Sequence, residues 1–483
     1  MLLDELMSDK VFHFFSEISE IPHGSENTEA IAEYCLQFAK ERSLEAYRDD
    51  YGNVMIFKGG TKGYEQSESV ILQGHLDMVC EKRPDCSKDM ERDGIDIVMD
   101  GEYLRADGTT LGGDDGIAVA YILALLDDDG SISHPPLEAL FTTDEEVGLR
   151  GARALDASKL IGRRLINIDS EEEGILTVSC AGGVRVSCTV PVTYKETDAS
   201  MCAKTLTVGG LLGGHSGIDI GKNRKNAAKV LAEFLHDAKG HVKINIARFL
   251  SGGRLNVIPQ TAEMTVCINK AQAAEFDNLL ADYNYCLKAA CAQTEPDVFL
   301  SSTDAAMPDK CLDESSGNTV VSTLLLAPDG ISAMNTDIPF LVQTSSNLGS
   351  VSLDDAHLEL GFMIRSNTDH GKVETMRRLT ALIESAGGTV TTSDDYPAWE
   401  YRQISPLRDE MVKAYEQMYG KKPQICAIHA GLECGILGEK LDGVDMVSIG
   451  PNMKNVHTPD EQLEIQSVKR CWEYLLQVLE RLK

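Results

Sequence analysis

Short apolar runs that alternate with amphipathic helical segments constrain the fold of this 483-residue chain most strongly. Strand-like runs occur at NVMIF, VILQGHLDMV, EALFTT and RRLINID. Apolar residues at helical spacing mark VFHFFSEISEI, TEAIAEYCLQFAKERS and GIAVAYILALLDD. Strands that alternate with helices predict an α/β fold, with a mostly parallel sheet flanked by helices.

This pattern changes near Gly183 and returns near Ala398. GVRVSCTVPVTYKE and TLTVGG alternate as strands do, and NRKNAAKVLAEFLHDAKG predicts an amphipathic helix. Two later stretches, AEMTVCIN to VFLSS and HLELGFMIRS to GTVTTS, repeat the order strand, helix, strand, which predicts a duplicated unit. We therefore predict an outer α/β domain in two parts, residues 1–182 and 398–483, with an inserted α+β domain at residues 183–397.

Composition excludes several classes of partner. The 76 acidic residues exceed the 45 basic ones, and a formal charge of −31 argues against a reader of nucleic-acid phosphates. We expect no membrane span, because no apolar run approaches the roughly 18 residues that one requires. The acidic N-terminal stretch differs from a signal peptide, and the 13 cysteines form no C-x-x-C pair. These features predict a cytoplasmic protein with reduced thiols.

Acidic residues and histidines collect where the predicted strands of the outer domain end. His75 and Asp77 are two apart, so on a strand their side chains share a face. Asp77 could then hold one ring nitrogen of His75 while the other nitrogen binds a metal. In open α/β sheets ligands bind at the carboxyl ends of the strands. The further candidates there, or at the glycine-rich turn before a helix, are Asp114, Asp115, Asp144, Glu145, Glu146, Asp169 and His457.

Each of these features alone is typical of an N-cap, a turn or a solvated acidic face. Together, two histidines and several carboxylates are the ligands of Zn²⁺, Mn²⁺ or Co²⁺. They exceed the four ligands of one structural zinc, which favours two metals bridged by a carboxylate. The adjacent Glu145 and Glu146 suit a division into one general base and one metal ligand.

The motifs HLDMV, GTTLGGDDGIAVA, FTTDEEVG, INIDSEEEG and NVHTPDE together resemble the co-catalytic zinc peptidases, the family that includes aminoacylase, glutamate carboxypeptidase and peptidase T. GGLLGGHSGIDIGKNRKNA, GGRLNVIP and HAGLECG extend the resemblance through the insert. The likeness runs from the N-terminus to the final helix. It implies that the outer domain is catalytic and that the inserted domain is its lid.

The resemblance also implies a role for each matching residue. Glu145 is the expected general base, Asp77 the partner of His75, and His215 the donor to the oxyanion. Many relatives carry a lysine where this chain has Gly116, and the peptide Asp114–Asp115 is expected to be cis. For Arg365, a surface salt bridge remains equally open. The expected metal ligands are His75, Asp114 (bridging), Glu146, Asp169 and His457, and the expected substrate-binding residues are Asn256, Arg365 and Gly431.

The implied reaction is hydrolysis of unblocked dipeptides, with a preference for a C-terminal histidine that extends to β-alanyl-histidine. The implied cofactors are two divalent ions, Zn²⁺ first and Co²⁺ or Mn²⁺ as alternatives. An aminotripeptidase, an N-acyl amino acid deacylase and a non-catalytic metal-binding protein remain open, although metal binding alone needs neither Glu145 nor His215. A homodimer in which His215 acts across subunits also remains open.

Overall fold

The chain divides into two compact units in this computed structural model, which describes residues 3–354 and 356–483. The first unit comprises the described residues up to Cys180 together with Tyr401–Ala427 and Leu432–Lys483. The second unit comprises Ala181–Glu400 and Ile428–Gly431. Each unit is therefore built from segments that are separated in the sequence.

Five of the α-helices begin at a residue whose side chain accepts a hydrogen bond from a free backbone N–H group. Asp9, Asn226, Asp313, Thr368 and Ser405 each cap a helix in this way. The helices are α1 (Leu3–Leu6), α2 (Lys10–Ser19), α3 (Glu29–Glu41), α4 (Gly113–Leu126), α5 (Arg150–Ala154), α6 (Ala227–Ala238), α7 (Ala273–Cys291), α8 (Glu314–Leu326), α9 (Asp369–Ser385), α10 (Pro406–Tyr419), α11 (Glu433–Lys440) and α12 (Ile465–Arg481).

The strands fall into a larger sheet in each unit and into smaller ribbons. They are β1 (Glu45–Arg48), β2 (Val54–Lys58), β3 (Val70–His75), β4 (Ile97–Asp100), β5 (Tyr103–Ala106), β6 (Leu137–Thr142), β7 (Arg164–Asn167), β8 (Ile175–Cys180), β9 (Gly182–Pro191), β10 (Tyr194–Glu196), β11 (Met201–Gly209), β12 (Ile244–Gly252), β13 (Ala262–Asn269), β14 (Phe299–Ala305), β15 (Lys310–Leu312), β16 (Gly330–Met334), β17 (Val342–Leu353), β18 (His357–Ser366), β19 (Thr389–Tyr396), β20 (Gln424–Ile428), β21 (Asp445–Ser448), β22 (Met453–Lys454) and β23 (Gln462–Glu464).

The sheet of the first unit is parallel at its centre and antiparallel towards its edges. Within the described residues its order is β1-β2-β6-β3-β7-β21-β8-β20. Strands β6, β3, β7 and β21 run parallel, whereas β1 with β2, β2 with β6, and β8 with β21 are antiparallel. The predicted α/β class is confirmed. The β1–β2 pair is antiparallel because the short turn Asp49–Asn53 leaves no room for a crossover.

Helix α4 is buried along its whole length and carries Asp114 at its first turn. A helix that is apolar on every side belongs in a core, as GIAVAYILALL predicts. It lies close to β3 because position 74 is glycine. A Cβ there would lie 2.6 Å from the Cβ of Ala118 and 2.7 Å from Oδ2 of Asp115. This close approach brings the first turn of α4 beside the end of β3.

The second unit is α+β, with one sheet ordered β14-β11-β13-β12-β17-β18-β9-β19 and with β16 paired to β17. Its described strand pairs are antiparallel. The segments β13–α7–β14 and β18–α9–β19 have the same topology, because each pair of strands flanks one antiparallel strand, β11 or β9. The duplication predicted from sequence covers these two segments.

No helix in the described part of the chain is long and apolar enough to cross a membrane. The cysteines are free thiols, and most of them are buried. Burial without cross-linking is the usual state of cysteine as a small apolar core residue.

Candidate metal centre

The predicted metal ligands lie at the carboxyl edge of the first unit's sheet. His75 is the last residue of β3, and the neighbouring strands β6 and β7 lead directly to Glu146 and Asp169. Asp114 lies in the first turn of α4, and His457 lies in the loop after β22. Parallel strands thus bring together residues from distant parts of the sequence, as expected for an open α/β sheet.

Asp114 is the centre of this cluster, because its two carboxylate oxygens face different histidines. Its Oδ1 is 3.0 Å from Nε2 of His75, and its Oδ2 is 3.0 Å from Nε2 of His457. Nε2 of His75 is also 3.7 Å from Oδ1 of Asp169. Nε2 of His457 is 2.7 Å from Oε1 of Glu146. Two ligand sets therefore share one aspartate.

These two sets have the spacing that a divalent ion requires. Within each set, one candidate ligand atom per residue lies within 4.8 Å of the others. Ligands about 2.0–2.1 Å from a tetrahedral zinc are roughly 3.3 Å apart, and the contacts of 2.7–3.7 Å lie on both sides of that value. The imidazole and carboxylate donors fit two divalent ions of the Zn²⁺, Co²⁺ or Mn²⁺ type, and Asp114 belongs to both candidate sets.

Asp77 organises the backbone around the cluster. Its Oδ1 accepts the N–H of Glu145 at 2.9 Å, and its Oδ2 accepts the hydroxyl of Ser25 at 2.8 Å and the N–H of Glu146 at 3.3 Å. Nδ1 of His75 is 3.5 Å from Oδ1 of Asp77 but 2.9 Å from the Asp77 carbonyl oxygen. The main chain of Asp77 is therefore the closer partner of this ring nitrogen, and Nε2 is left to face the cluster.

The neighbouring glutamates have different surroundings. Glu146 contacts His457. Glu145 has carboxylate oxygens near His75 and Glu146, but its carboxylate makes no hydrogen bond within residues 3–354 and 356–483. Burial raises the pKa of Glu145 well above its ordinary value, and the nearby carboxylates of Asp169 and Glu146 raise it further. An unpaired carboxylate of raised pKa has the properties of a general base.

The cluster holds more negative charge than its imidazoles can balance. Burial raises the pKa of Asp169 to about 7, and Asp114 adds to this by repulsion, although a hydrogen bond from His75 opposes it. For Asp114, burial is outweighed by hydrogen bonds to His457 and His75, which lower its pKa. Divalent cations would compensate this excess charge and hold the carboxylates in their ionised form.

Asp115, the second aspartate of the pair, bonds to the backbone of His75 and not to an imidazole ring. It is completely buried, and its Oδ2 accepts the backbone N–H of His75 at 3.2 Å. Burial raises the pKa of Asp115 well above the usual range. The Asp114–Asp115 peptide bond is cis, which confirms the expectation from the family resemblance.

A buried glutamate that sequence analysis did not single out lies beneath the ligands. Oε2 of Glu433 accepts hydrogen bonds from Gln73 at 2.6 Å and Thr142 at 2.7 Å, and Asn167 donates to Gln73 at 2.6 Å. Burial raises the pKa of Glu433 to about 7. Gln73, Thr142 and Asn167 lie on β3, β6 and β7, so this network links the three strands just before the ends that lead to the candidate ligands. The only signal in the sequence was the motif HAGLECG.

In the second unit, hydrogen bonds determine the tautomer of His215. Its Nδ1 accepts the backbone N–H groups of Gly217 and Ile218, both at 3.2 Å. A neutral imidazole that accepts at Nδ1 carries its proton on Nε2. Burial lowers the pKa of His215, and the charge of Arg365 lowers it further. His215 is therefore a neutral residue with an Nε2–H available to donate.

Arg365 lies on β18 and is only 6% exposed. One guanidinium nitrogen donates to the hydroxyl of Tyr396 at 2.9 Å, and Nε has no hydrogen-bond partner among the described residues. No carboxylate in the described part of the chain forms an ion pair with it. The alternative of a surface salt bridge is therefore wrong. A buried guanidinium without a counter-ion can receive a carboxylate from outside the chain.

The other predicted substrate-binding residues lie in loops of the same unit. Asn256 is exposed, and its carbonyl oxygen accepts the N–H of Ser216 at 2.8 Å. Gly431 lies against Tyr396, since a Cβ there would be 2.9 Å from the ring. Two residues earlier, His429 contacts Ser345, and burial lowers its pKa to about 3. Sequence analysis did not single out His429, because no local spacing distinguishes it.

Comparisons with known proteins agree with this architecture. Residues 71–481 match the profile of peptidase family M20/M25/M40. The chain is 36% identical over 481 residues to the cytosol non-specific dipeptidase of Escherichia coli, and the match covers 99% of each chain. Aminoacylhistidine dipeptidase from Vibrio alginolyticus has a similar structure, with a TM-score of 0.95 and 35% identity over 100% of this chain and 98% of that chain. Aminopeptidase PepT from Bacillus cereus shares the fold, with a TM-score of 0.57 and 15% identity over 98% of both chains.

Proposed function

The chain belongs to peptidase family M20/M25/M40, and from that premise we propose that it is a metallo-dipeptidase that hydrolyses unblocked dipeptides at a pair of divalent ions. The full-length relatives named above are dipeptidases. They cover both units of this chain, so the proposal concerns the whole protein.

The proposal of two metal ions rests on one observation. The two carboxylate oxygens of Asp114 each lie 3.0 Å from Nε2 of a different histidine. We propose that His75, Asp114 and Asp169 hold one ion and that Asp114, Glu146 and His457 hold the other. When bound, such ions polarise a carbonyl and lower the pKa of a bound water. Zn²⁺ suits these donors, and Co²⁺ or Mn²⁺ would be accepted by the same set.

We assign the proton transfers to Glu145. Its carboxylate is free of hydrogen bonds to the described chain, although Asp77 holds its backbone N–H at 2.9 Å. In this role it takes the proton from the attacking water and returns it to the leaving amine. Asp77 thereby has two tasks, since it orients both His75 and the base.

We assign the recognition of substrate to the second unit. The Nε2–H of His215 is the proposed donor to the carbonyl oxygen as it gains negative charge. Arg365 is the proposed partner of the peptide's terminal carboxylate, because its guanidinium is buried without a carboxylate partner in the described chain. Asn256 and Gly431 would complete these contacts. The contact of Arg365 with the terminal carboxylate would then limit the length of the peptide.

The finer specificity is also a proposal. The relatives' names differ, since one is non-specific and the other refers to aminoacylhistidine substrates. We propose that dipeptides with a C-terminal histidine, including β-alanyl-histidine, are among the substrates. A cytoplasmic location is consistent with the name of the Escherichia coli relative. That the protein forms a homodimer stays a prediction, and light scattering of the intact protein would measure its oligomeric state.

A metal count combined with a substrate panel tests the proposal. The protein would be treated with a chelator, dialysed, and reloaded with Zn²⁺, Co²⁺ or Mn²⁺. Each form would be assayed with alanyl-histidine, β-alanyl-histidine, alanyl-leucine, a tripeptide and an N-acetyl amino acid. We expect two ions per chain, loss of activity on chelation, its return on reloading, and turnover of dipeptides.

Four outcomes would contradict parts of the proposal. Full activity in metal-free protein would exclude the metal-dependent mechanism. Turnover of the tripeptide alone would make the protein an aminotripeptidase, and turnover of the N-acetyl amino acid alone would make it a deacylase. Binding of two ions without turnover of any substrate would indicate a metal-binding protein that is not a peptidase.

A further inference from the structure

Glu461 is a buried glutamate that joins two ligand-bearing segments of the first unit. It is only 3% exposed and lies four residues after His457. Its carboxylate reaches the turn that precedes Asp114 in the sequence. A carboxylate is rarely this buried unless specific hydrogen bonds hold it.

Three consecutive backbone N–H groups bind this carboxylate. Oε2 accepts from Leu111 at 2.8 Å and from Gly112 at 3.2 Å, and Oε1 accepts from Gly113 at 2.8 Å. These N–H groups belong to the turn that starts α4, ahead of its regular helical part, because Asp114 and Asp115 have non-helical backbone angles. The contact therefore fixes the backbone immediately before Asp114.

The turn is shaped to receive the carboxylate. Gly112 has φ 71°, in the left-handed region that glycine adopts without strain. At Gly113, a Cβ would lie 3.1 Å from Oε1 of Glu461, which is closer than most carbon contacts. The two glycines thus let the main chain fold around the glutamate.

Two hydrogen bonds close the turn that carries Glu461. The Thr458 hydroxyl donates to the carbonyl of Asn455 at 2.7 Å, and the N–H of Glu461 donates to the carbonyl of Thr458 at 3.0 Å. His457 lies inside this turn with φ 64°. Glu461 and His457 therefore belong to the same short hydrogen-bonded turn, so a displacement of one residue would also displace the other.

We propose that Glu461 is a positioning residue for the metal pair, which holds the Leu111–Gly113 backbone against the His457 turn and so sets the distance between Asp114 and His457. The inference rests on the proposed function, because it presupposes bound metal. Glu461 belongs to neither proposed ligand set. It acts through the backbone on two ligands of the same site, and such outer partners typically change metal affinity 10–100-fold.

The test compares Glu461→Gln with Asp460→Asn in protein loaded with Co²⁺. The glutamine keeps the shape but turns an NH₂ group towards backbone N–H donors. Asp460 is its matched control, because it lies in the same turn and its side chain pairs with Arg83 and Arg105 at the surface. The measurements are Co²⁺ per chain, the visible d–d spectrum, and the rate of Co²⁺ transfer to a chelator, with thermal unfolding as the record of folding.

We expect Glu461→Gln to release one Co²⁺ about 10–100-fold faster than the wild type and to alter the spectrum, while Asp460→Asn matches the wild type. Gly113→Ala supplies a second variant, because its Cβ displaces the same carboxylate, and it should release Co²⁺ faster too.

A wild-type spectrum and a wild-type release rate in folded Glu461→Gln would overturn the inference, even if the melting temperature were lower. Equal effects of Asp460→Asn would also overturn it in favour of simple charge. Absence of Co²⁺ binding by the wild type would overturn the proposed function and this inference with it.

Discussion

Glu145 and Glu146 are adjacent glutamates, but their neighbours give them different chemistry. Glu146 lies 2.7 Å from Nε2 of His457, where a shared cation would be held. The carboxylate of Glu145 has no hydrogen-bond partner in the described chain, and Asp77 holds its backbone instead. The same comparison applies to Asp114 and Asp115, of which only the first contacts the two imidazole rings. The groups that each side chain contacts decide its role.

Replacement of Glu145 by glutamine is expected to abolish proton transfer while both ions stay bound. General acid–base catalysis contributes about 10²–10⁴-fold, so kcat for a dipeptide should fall by at least about 100-fold. The metal content of Glu145→Gln should remain at the wild-type value. The matched control is Glu172→Gln, which changes an exposed glutamate near Asp169 and should leave kcat unchanged. Near-normal kcat in Glu145→Gln, or loss of metal from it, would refute the assignment of Glu145 as the base.

At the scale of secondary structure, the close contact of α4 with β3 determines where Asp114 lies relative to His75. The helix is buried at every position, so it cannot move away without opening the core. Gly74 lies at the contact, one residue before His75, and a Cβ there would meet Ala118 and Asp115 at 2.6 and 2.7 Å. The packing of β3 against α4 thus requires glycine at this position, and a larger side chain would displace the candidate ligands on both elements.

Gly74→Ala is therefore expected to weaken metal binding as well as stability. Overpacking of a core typically costs about 1–3 kcal/mol, and here the added methyl would push the first turn of α4 away from β3. The control is Gly59→Ala, which lies just after β2 in the same unit and has open space for a Cβ. The measurements are the midpoint of urea unfolding and the metal content after dialysis. If Gly74→Ala matched Gly59→Ala in both, the close contact would not determine the site.

At the scale of the whole molecule, a feature could be predicted when the residues that indicate it lie close together in the sequence. The predicted ligands are readable because parallel strands place their carboxyl ends at one edge, so that HLDMV, DEEVG and NIDS mark it locally. Glu461 and Glu433 were missed because their partners are about 350 and 360 residues away. The antiparallel edges of the sheet were missed for a similar reason, since apolar runs do not encode strand direction.

The fold shows where part of the formal charge of −31 is located. Part of it is concentrated in the buried carboxylates around Asp114, where burial and mutual repulsion raise the pKa of Asp169 to about 7. Two divalent ions would supply four positive charges to this cluster. Without metal, repulsion among these carboxylates therefore destabilises the first unit. The five proposed ligands all lie in that unit, so the second unit is not affected in this way.

Metal loading should consequently protect one unit and leave the other unchanged. A ligand at 1,000 times its Kd stabilises the state that binds it by about 4.1 kcal/mol, and the second unit has its own apolar core around Phe234 and Phe362. Hydrogen exchange of the zinc-loaded and chelated protein should show slower exchange on loading at β3 and the first turn of α4. Exchange in β9 and β11 should be the same in both forms. In His457→Ala, which lacks one proposed ligand, the added protection should shrink. Equal protection of both units would contradict this prediction, because stabilisation by metal would then not be confined to the unit that contains the ligands.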